Sequence, residues 1–239
     1  VGGTQIRVGV VNSGGHIIGR HLTRAHSERD PEVVMRCIRA ACSAAITDAG
    51  VDSSAVIGAG LGFGGTVDGP AGEVLISSNL PAWDHFPLRD RLAGTLGLPV
   101  FLDNDSNLGA LGESVYGAGQ GIKKLCYVTL STGFGLGIVY DGEVLRGHGG
   151  TAGEIAHAVV DVHGPPCTCG KNGCLMSYAS GVGVSRMAWD AIDSGTPTSL
   201  SQIATEDRRR ISGEAILEAA MAGDTVSHEI IATAGYYVG

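Results

Sequence analysis

Apolar and polar residues alternate from Ile6 to Val11 and again from His16 to Thr23, on either side of Asn12-Ser13-Gly14-Gly15. A period of two around an Asn/Gly-rich break predicts two antiparallel strands joined by a tight turn. The period then lengthens. Between Asp30 and Gly50 the apolar positions Val34, Ile38, Cys42 and Ile46 recur at helical spacing, Pro31 sits at the first helical position, and Asp30 and Gly50 supply the cap and the stop. Val56 to Phe63 reads as a buried strand ended by Gly64-Gly65, and Val74 to Ile76 as a shorter strand leading into Ser77-Ser78-Asn79. The pattern continues as helix over Pro87 to Leu96, strand over Val100 to Leu102 and helix over Asn104 to Tyr116.

Leu125 to Leu130 and Leu136 to Tyr140 predict two strands around a Gly-rich turn, with a hairpin at Asp141-Gly142. Beyond Cys174 the pattern is mainly helical, with a polar break from Ser194 to Arg210 and a last helix from Val226 to Val238. This alternation predicts an α/β class with a mixed sheet.

Length refines the picture, because 239 residues suffice for two lobes. The boundary is expected between an N-terminal α/β lobe, 1–103, and a larger lobe, 104–239. Hydrophobic residues at 44% with 17% charged exclude a disordered tail. The 39 glycines follow no three-residue period, so they mark tight turns. A net charge of −8 argues against a nucleic-acid surface, and the run Arg208 to Arg210 reads as a solvated helix entry. With no apolar stretch of about 18 residues and no signal-peptide pattern at the start, a soluble cytoplasmic protein is expected.

Four stretches carry candidate chemistry. Gly2, Gly3 and Thr4 precede the first strand, where backbone N–H groups and a hydroxyl can meet a phosphate; an ordinary hairpin entry is the simpler reading. Ser131-Thr132-Gly133-Phe134-Gly135 lies between two strands, unlike a dinucleotide fingerprint, which must open a helix. Two phosphate loops between antiparallel strands form the layout of the actin-like ATPases. Asp103-Asn104-Asp105-Ser106-Asn107 falls at a strand end and a helix start. A carboxylate there can take a proton from a substrate hydroxyl, although one helix cap also uses such residues.

The most specific stretch is Gly153-Glu154-Ile155-Ala156-His157 followed by Cys167-Thr168-Cys169-Gly170-Lys171-Asn172-Gly173-Cys174. One imidazole and three thiolates complete a closed tetrahedral shell of the structural zinc type. A disulfide with a spare thiol, unrelated thiols and His163 as a rival ligand remain open. Cys37, Cys42 and Cys126 lie apart in apolar segments, as in a reducing compartment. Glu154, three residues before His157, is either a polyol-binding carboxylate or a surface charge.

In this order and spacing, the motifs resemble the ROK family of repressors, open reading frames and sugar kinases, over essentially the whole chain. The family's Asp-x-Gly-Gly-Thr pattern matches Val1 to Thr4 without its Asp. Its strand-Gly-x-x-Gly segment matches Leu61 to Asp68, and its Asn-Asp pair matches Asn104-Asp105. Its zinc signatures match Glu154 to His157 and Cys167 to Cys174.

The resemblance implies a two-lobed actin-like ATPase (ribonuclease H-like) fold and phosphoryl transfer from ATP with Mg to a hexose 6-hydroxyl. Asp105 would be the catalytic base. Gly65, Asn79, Asn104, Glu154 and His157 would hold the sugar. Gly2, Gly3, Thr4, Thr132 and Gly133 would lie along the phosphates, and His157, Cys167, Cys169 and Cys174 would hold structural zinc.

A homodimer or homotetramer is expected. Glucose is the default acceptor, N-acetylmannosamine or N-acetylglucosamine the next, and a sugar-responsive repressor lacking its DNA-binding domain is the alternative. Met176 replaces the family's sugar-binding Glu, and Ala156 replaces a Gly. The usual strand-end Pro is missing from Gly62 to Thr66. The missing first Asp and the absent Gly-rich adenosine segment lead to the expectation of a C-terminally truncated fragment that phosphorylates poorly.

Overall fold

The computed structural model describes residues 5–24, 30–77 and 81–239. Two compact units form, one from residues 1–127 with 137–152 and the other from 128–136 with 153–239.

In the first unit β1 (Gln5–Val11) and β2 (Ile17–Arg24) pair antiparallel, as the alternation requires. They lie on α1 (Pro31–Ala49), whose Asp30 cap accepts from the Glu32 N–H at 2.9 Å and whose stop, Gly50, has φ 65°. Val34, Met35, Ile38 and Ala41 on α1 join Ile6 in the core. The fit is tight: a Cβ on Gly19 of β2 would come within 2.5 Å of the Ala45 carbonyl oxygen.

The strand expected over residues 56–63 is shorter, β3 (Ala59–Phe63). Ser53–Ala55 forms a 3-10 turn instead, and Ile57 is 92% exposed, so an apolar residue lies outside the ladder. The chain continues through β4 (Thr66–Asp68), β5 (Glu73–Ile76), α2 (Leu88–Leu96), β6 (Val100–Asn104) and α3 (Asp105–Tyr116). β3 and β6 pair in parallel with Phe63 opposite Asn104, which brings the Gly-rich end of β3 to the start of α3. Beneath them Phe63, Trp83, Leu88 and Leu92 are almost completely buried, and each Leu there would cost about 2–5 kcal/mol if cut to Ala.

β7 (Lys124–Leu130), β8 (Phe134–Tyr140) and β9 (Glu143–Val144) form a three-stranded sheet. In the second unit α4 (Met176–Ala179), α5 (Gly181–Asp193), α6 (Leu200–Asp207), α7 (Gly213–Met221) and α8 (Thr225–Val238) follow. Ala188, Leu200, Ile211, Ile216, Val226 and Ile230 make their core.

The polar break expected over 194–210 is thus corrected: α6 lies inside it, anchored by fully buried Leu200. The Arg run is not a helix entry either. Arg208–Arg210 is a 3-10 turn that closes α6, with each guanidinium bonded to a nearby carboxylate of Asp193, Asp207 or Glu206. Asp224 fastens two helix starts. It accepts from the Ser227 N–H of α8 at 2.8 Å, and from the Ser199 N–H at 2.6 Å and the Thr198 hydroxyl just before α6. Burial raises its carboxyl, but these donors outweigh it and hold the group well below the usual carboxylate range.

Candidate functional site

In the first unit the turn from β6 into α3 gathers the predicted carboxylate and its neighbours. Asn104 caps α3, its Oδ1 accepting from the N–H groups of Ser106 at 2.9 Å and Asn107 at 3.2 Å. Its Nδ2 donates to the Gly65 carbonyl at 3.0 Å, so two predicted sugar-binding positions are tied together. Gly65 itself has no room for a side chain, because an added Cβ would sit 2.8 Å from the Ile76 carbonyl oxygen.

Asp105, the first residue of α3, is exposed, and among the described residues its Oδ1 receives a single long 3.4 Å contact, from the Ser106 hydroxyl. Its backbone is held closely all the same. A Cβ on Gly62 would meet the Asp105 Cα at 3.3 Å, and one on Gly137 of β8 would meet the Ser106 carbonyl oxygen at 2.1 Å. An exposed carboxylate on a rigid, helix-capped turn is the geometry a general base needs.

Beneath the turn lies the first carboxylate of that polar stretch, to which the sequence assigns no separate role. Asp103, 5% exposed, accepts at Oδ1 from the Asn104 N–H at 2.8 Å and the Asn107 Nδ2 at 3.0 Å. Its Oδ2 takes both Nε (2.9 Å) and Nη2 (2.6 Å) of Arg146. Nothing local in the sequence announces that pairing, since the two residues stand 43 positions apart.

The second unit holds the knuckle. His157 ends a 3-10 turn, Ile155–His157, and its Nδ1 lies 3.6 Å from Cys167 Sγ; Cys169 Sγ and Cys174 Sγ are also 3.6 Å apart. The four ligand atoms all fall within 4.8 Å of one another. A tetrahedral zinc with sulfur at about 2.3 Å and nitrogen at about 2.0 Å requires ligand separations of about 3.6–3.8 Å. The donor set therefore fits zinc in its chemistry, and the two 3.6 Å separations match that spacing. All three cysteines are free thiols, and His163 is outside the cluster, its N–H donating to Asp161 Oδ1 at 2.9 Å.

Burial raises the Cys167 thiol, yet hydrogen bonds led by the Cys169 N–H and His157 bring it down to about 6. Cys174 is pushed up to about 12, by burial first and then by its proton-sharing with Cys169 and Cys167. Lys171 Nζ donates to the His157 carbonyl at 2.8 Å, and its own carbonyl accepts from the Cys167 N–H at 2.8 Å, closing the loop over the ligands. Asp161 also receives the Tyr178 hydroxyl at 3.0 Å, and Tyr178 stacks on Tyr237 of α8 at 3.9 Å.

Glu154 is exposed just before that 3-10 turn, and the preceding Gly153, at φ 93°, has its Cα side pressed to within 2.1 Å of the Leu136 carbonyl oxygen for any added Cβ. Thr132 and Gly133 form the turn between β7 and β8. The Gly181 and Val182 N–H groups of α5 donate to the Ser131 and Thr132 carbonyls at 2.7 and 3.3 Å, so the helix start anchors the turn. Met176 lines a small open pocket with Cys167, Thr168, Ser180 and Arg186. Gly2, Gly3, Thr4 and Asn79 lie outside the described residues.

Comparison with known proteins agrees with this geometry. The model of the ROK family matches residues 1–239. The chain is 34% identical over 242 residues to a glucokinase of Halalkalibacterium halodurans, covering 100% of this chain and 72% of that protein. It is 30% identical over 234 residues to a xylose repressor of Caldicellulosiruptor bescii, covering 92% of this chain and only 58% of that protein. A ROK family glucokinase from Streptomyces griseus, solved in complex with glucose and AMPPNP, superposes with a TM-score of 0.83 at 33% identity, over 99% of this chain and 74% of that one. The α/β fold is thus that of the actin-like ATPase class, as the family resemblance implied.

Proposed function

The chain belongs to the ROK family, and we propose that it serves a sugar kinase that transfers the γ-phosphoryl group of ATP, with Mg, to the 6-hydroxyl of a hexose, glucose first among them. The observation that carries this reading is the exposed Asp105 carboxylate, placed on a turn whose backbone is fixed from three sides by Asn104, Gly62 and Gly137. Such chemistry asks little covalent work of the protein and much positioning, so a rigidly mounted base suits it. Asp105 would accept the hydroxyl proton as the phosphoryl group is transferred.

Gly65, Asn79, Asn104, Glu154 and His157 are the proposed hexose contacts, and Gly2, Gly3, Thr4, Thr132 and Gly133 the proposed phosphate contacts. His157, Cys167, Cys169 and Cys174 would hold zinc, whose contribution is to lock the loop that carries His157. The similarity to ROK glucokinases supports the reading, while the xylose repressor supports a second one, sugar sensing without turnover.

The two are separated by ADP release measured over a panel of glucose, N-acetylmannosamine, N-acetylglucosamine and xylose. The kinase reading expects hexose-dependent ADP release that Asp105→Asn lowers by at least about a hundredfold, in the range general-base removal typically costs. Sugar binding without ADP release, unchanged by Asp105→Asn, would favour the sensor.

A further inference from the structure

We propose that Arg146 is a positioning residue for this phosphoryl transfer, acting through Asp103 on the turn that carries Asn104 and Asp105; the inference rests on the kinase reading above. Arg146 stands two residues past the end of β9, and the backbone there is itself held: the Leu145 N–H donates to the Ile138 carbonyl at 2.8 Å, and the Ala152 N–H to the Arg146 carbonyl at 3.0 Å. From that fixed base the guanidinium places two N–H groups on one oxygen of Asp103.

The other Asp103 oxygen takes the Asn104 N–H and the Asn107 side-chain amide, so one carboxylate receives four donors. They come from three places: the Asn104 backbone, the first turn of α3, and the segment beyond β9, where Arg146 supplies two of the four. Asn104, held at its backbone, in turn reaches Gly65, and Asp105 is the next residue.

An ordinary surface ion pair would be worth little, because water screens both partners. This one differs, since the Asp103 side chain is 7% exposed against 42% for Arg146. A carboxylate withdrawn from water depends on its donors, and a planar fork restricts its orientation in a way that a point charge does not. Withdrawing the fork would strip Oδ2 of both its Arg146 donors and leave the carboxylate held at Oδ1 alone, so it could tilt, and the capping geometry of Asn104 and the line of the Asp105 carboxylate would shift with it. A misplacement of about 1 Å at such a base can cost about a hundredfold in rate.

The test compares Arg146→Lys and Arg146→Met with the unaltered chain. Both should lower kcat, by at least threefold for Lys and tenfold for Met, while KM for MgATP stays within about twofold, because the lesion lies on the base. Arg146→Lys keeps the charge beside Asp103 and should melt close to the unaltered protein, so it carries the test if Arg146→Met does not fold.

Values of kcat within twofold of the unaltered chain in a folded Lys variant would overturn the proposal. If the unaltered chain phosphorylates no hexose, the kinase reading fails separately. The clamp is then judged by NMR of the Asn104 and Asn107 side-chain amides, which should shift and exchange faster in Arg146→Lys; unchanged signals would refute it.

Discussion

Gly173 offers a direct way to ask whether the shape of the knuckle, beyond its thiols, holds a metal. Its φ is +66°, and an added Cβ would lie 1.5 Å from the Asp161 carbonyl oxygen, well inside any tolerable contact. Alanine in that left-handed conformation costs about 1–2 kcal/mol by itself. Relieving the clash also strains the Val160 N–H bond to the Gly173 carbonyl at 2.9 Å and the Gly173 N–H bond to Pro165 at 2.7 Å. At about 1 kcal/mol for each net hydrogen bond, the total is about 3–4 kcal/mol.

Because a structural zinc site draws its folding energy from metal binding, that cost appears as lost affinity. At about 1.4 kcal/mol per tenfold, Gly173→Ala should weaken zinc binding by about a hundredfold to a thousandfold. Gly170 is the control. Its φ is +86°, yet an added Cβ would meet nothing within 4 Å, so only the backbone strain remains and the loss should be about tenfold. Competition against a chromogenic zinc chelator measures both. Equal losses in the two variants, or none in Gly173→Ala, would refute the reasoning.

Asp224→Ala removes the cap of α8 and the bonds to the start of α6, which should cost about 2 kcal/mol or about 4–8 °C in melting temperature at neutral pH. Because the folded carboxyl sits below its unfolded value, the stabilisation is present above about pH 4 and fades as pH falls through the lowered value, so the gap between the two proteins should narrow in acid. A gap of equal size at pH 7 and pH 3 would contradict this assignment. Gly137→Ala should push β8 off the first turn of α3 and lower both melting temperature and any hexose turnover, read by thermal unfolding beside ADP release.

Local signals carried the sequence reading where the cause of structure is itself local. The Asp30 cap, Pro31 and Gly50 bound α1, and the Cys167 to Cys174 spacing predicted a cluster that the structure assembles. The reading failed where distant packing decides. Leu200, Ile203 and Ala204 are too few to show a period within the polar stretch that holds α6, and only their burial against α5 and α7 makes a helix of it. Ile57 looked like strand interior, though its side chain finds no partner layer. The Asp103–Arg146 pair shows the same limit at the site: each residue is unremarkable alone, and their meeting is a property of the β6, β8 and β9 arrangement.

That separation along the chain also bears on the order of folding. His157 and Cys174 stand 17 residues apart, so the knuckle closes a short loop and can gather its ligands as soon as that stretch leaves the ribosome. The turn bearing Asp105 has no such shortcut. It needs β3 paired in parallel with β6, and then Arg146, a further 43 residues beyond Asp103. Contacts so distant in sequence form slowly, since chain entropy is lost before they compensate it. A nascent chain would therefore present a finished Cys/His knuckle while the turn is still unfinished, and pulse-labelled hydrogen exchange should find the amides of residues 158–174 protected before those of Asn104 and Asn107.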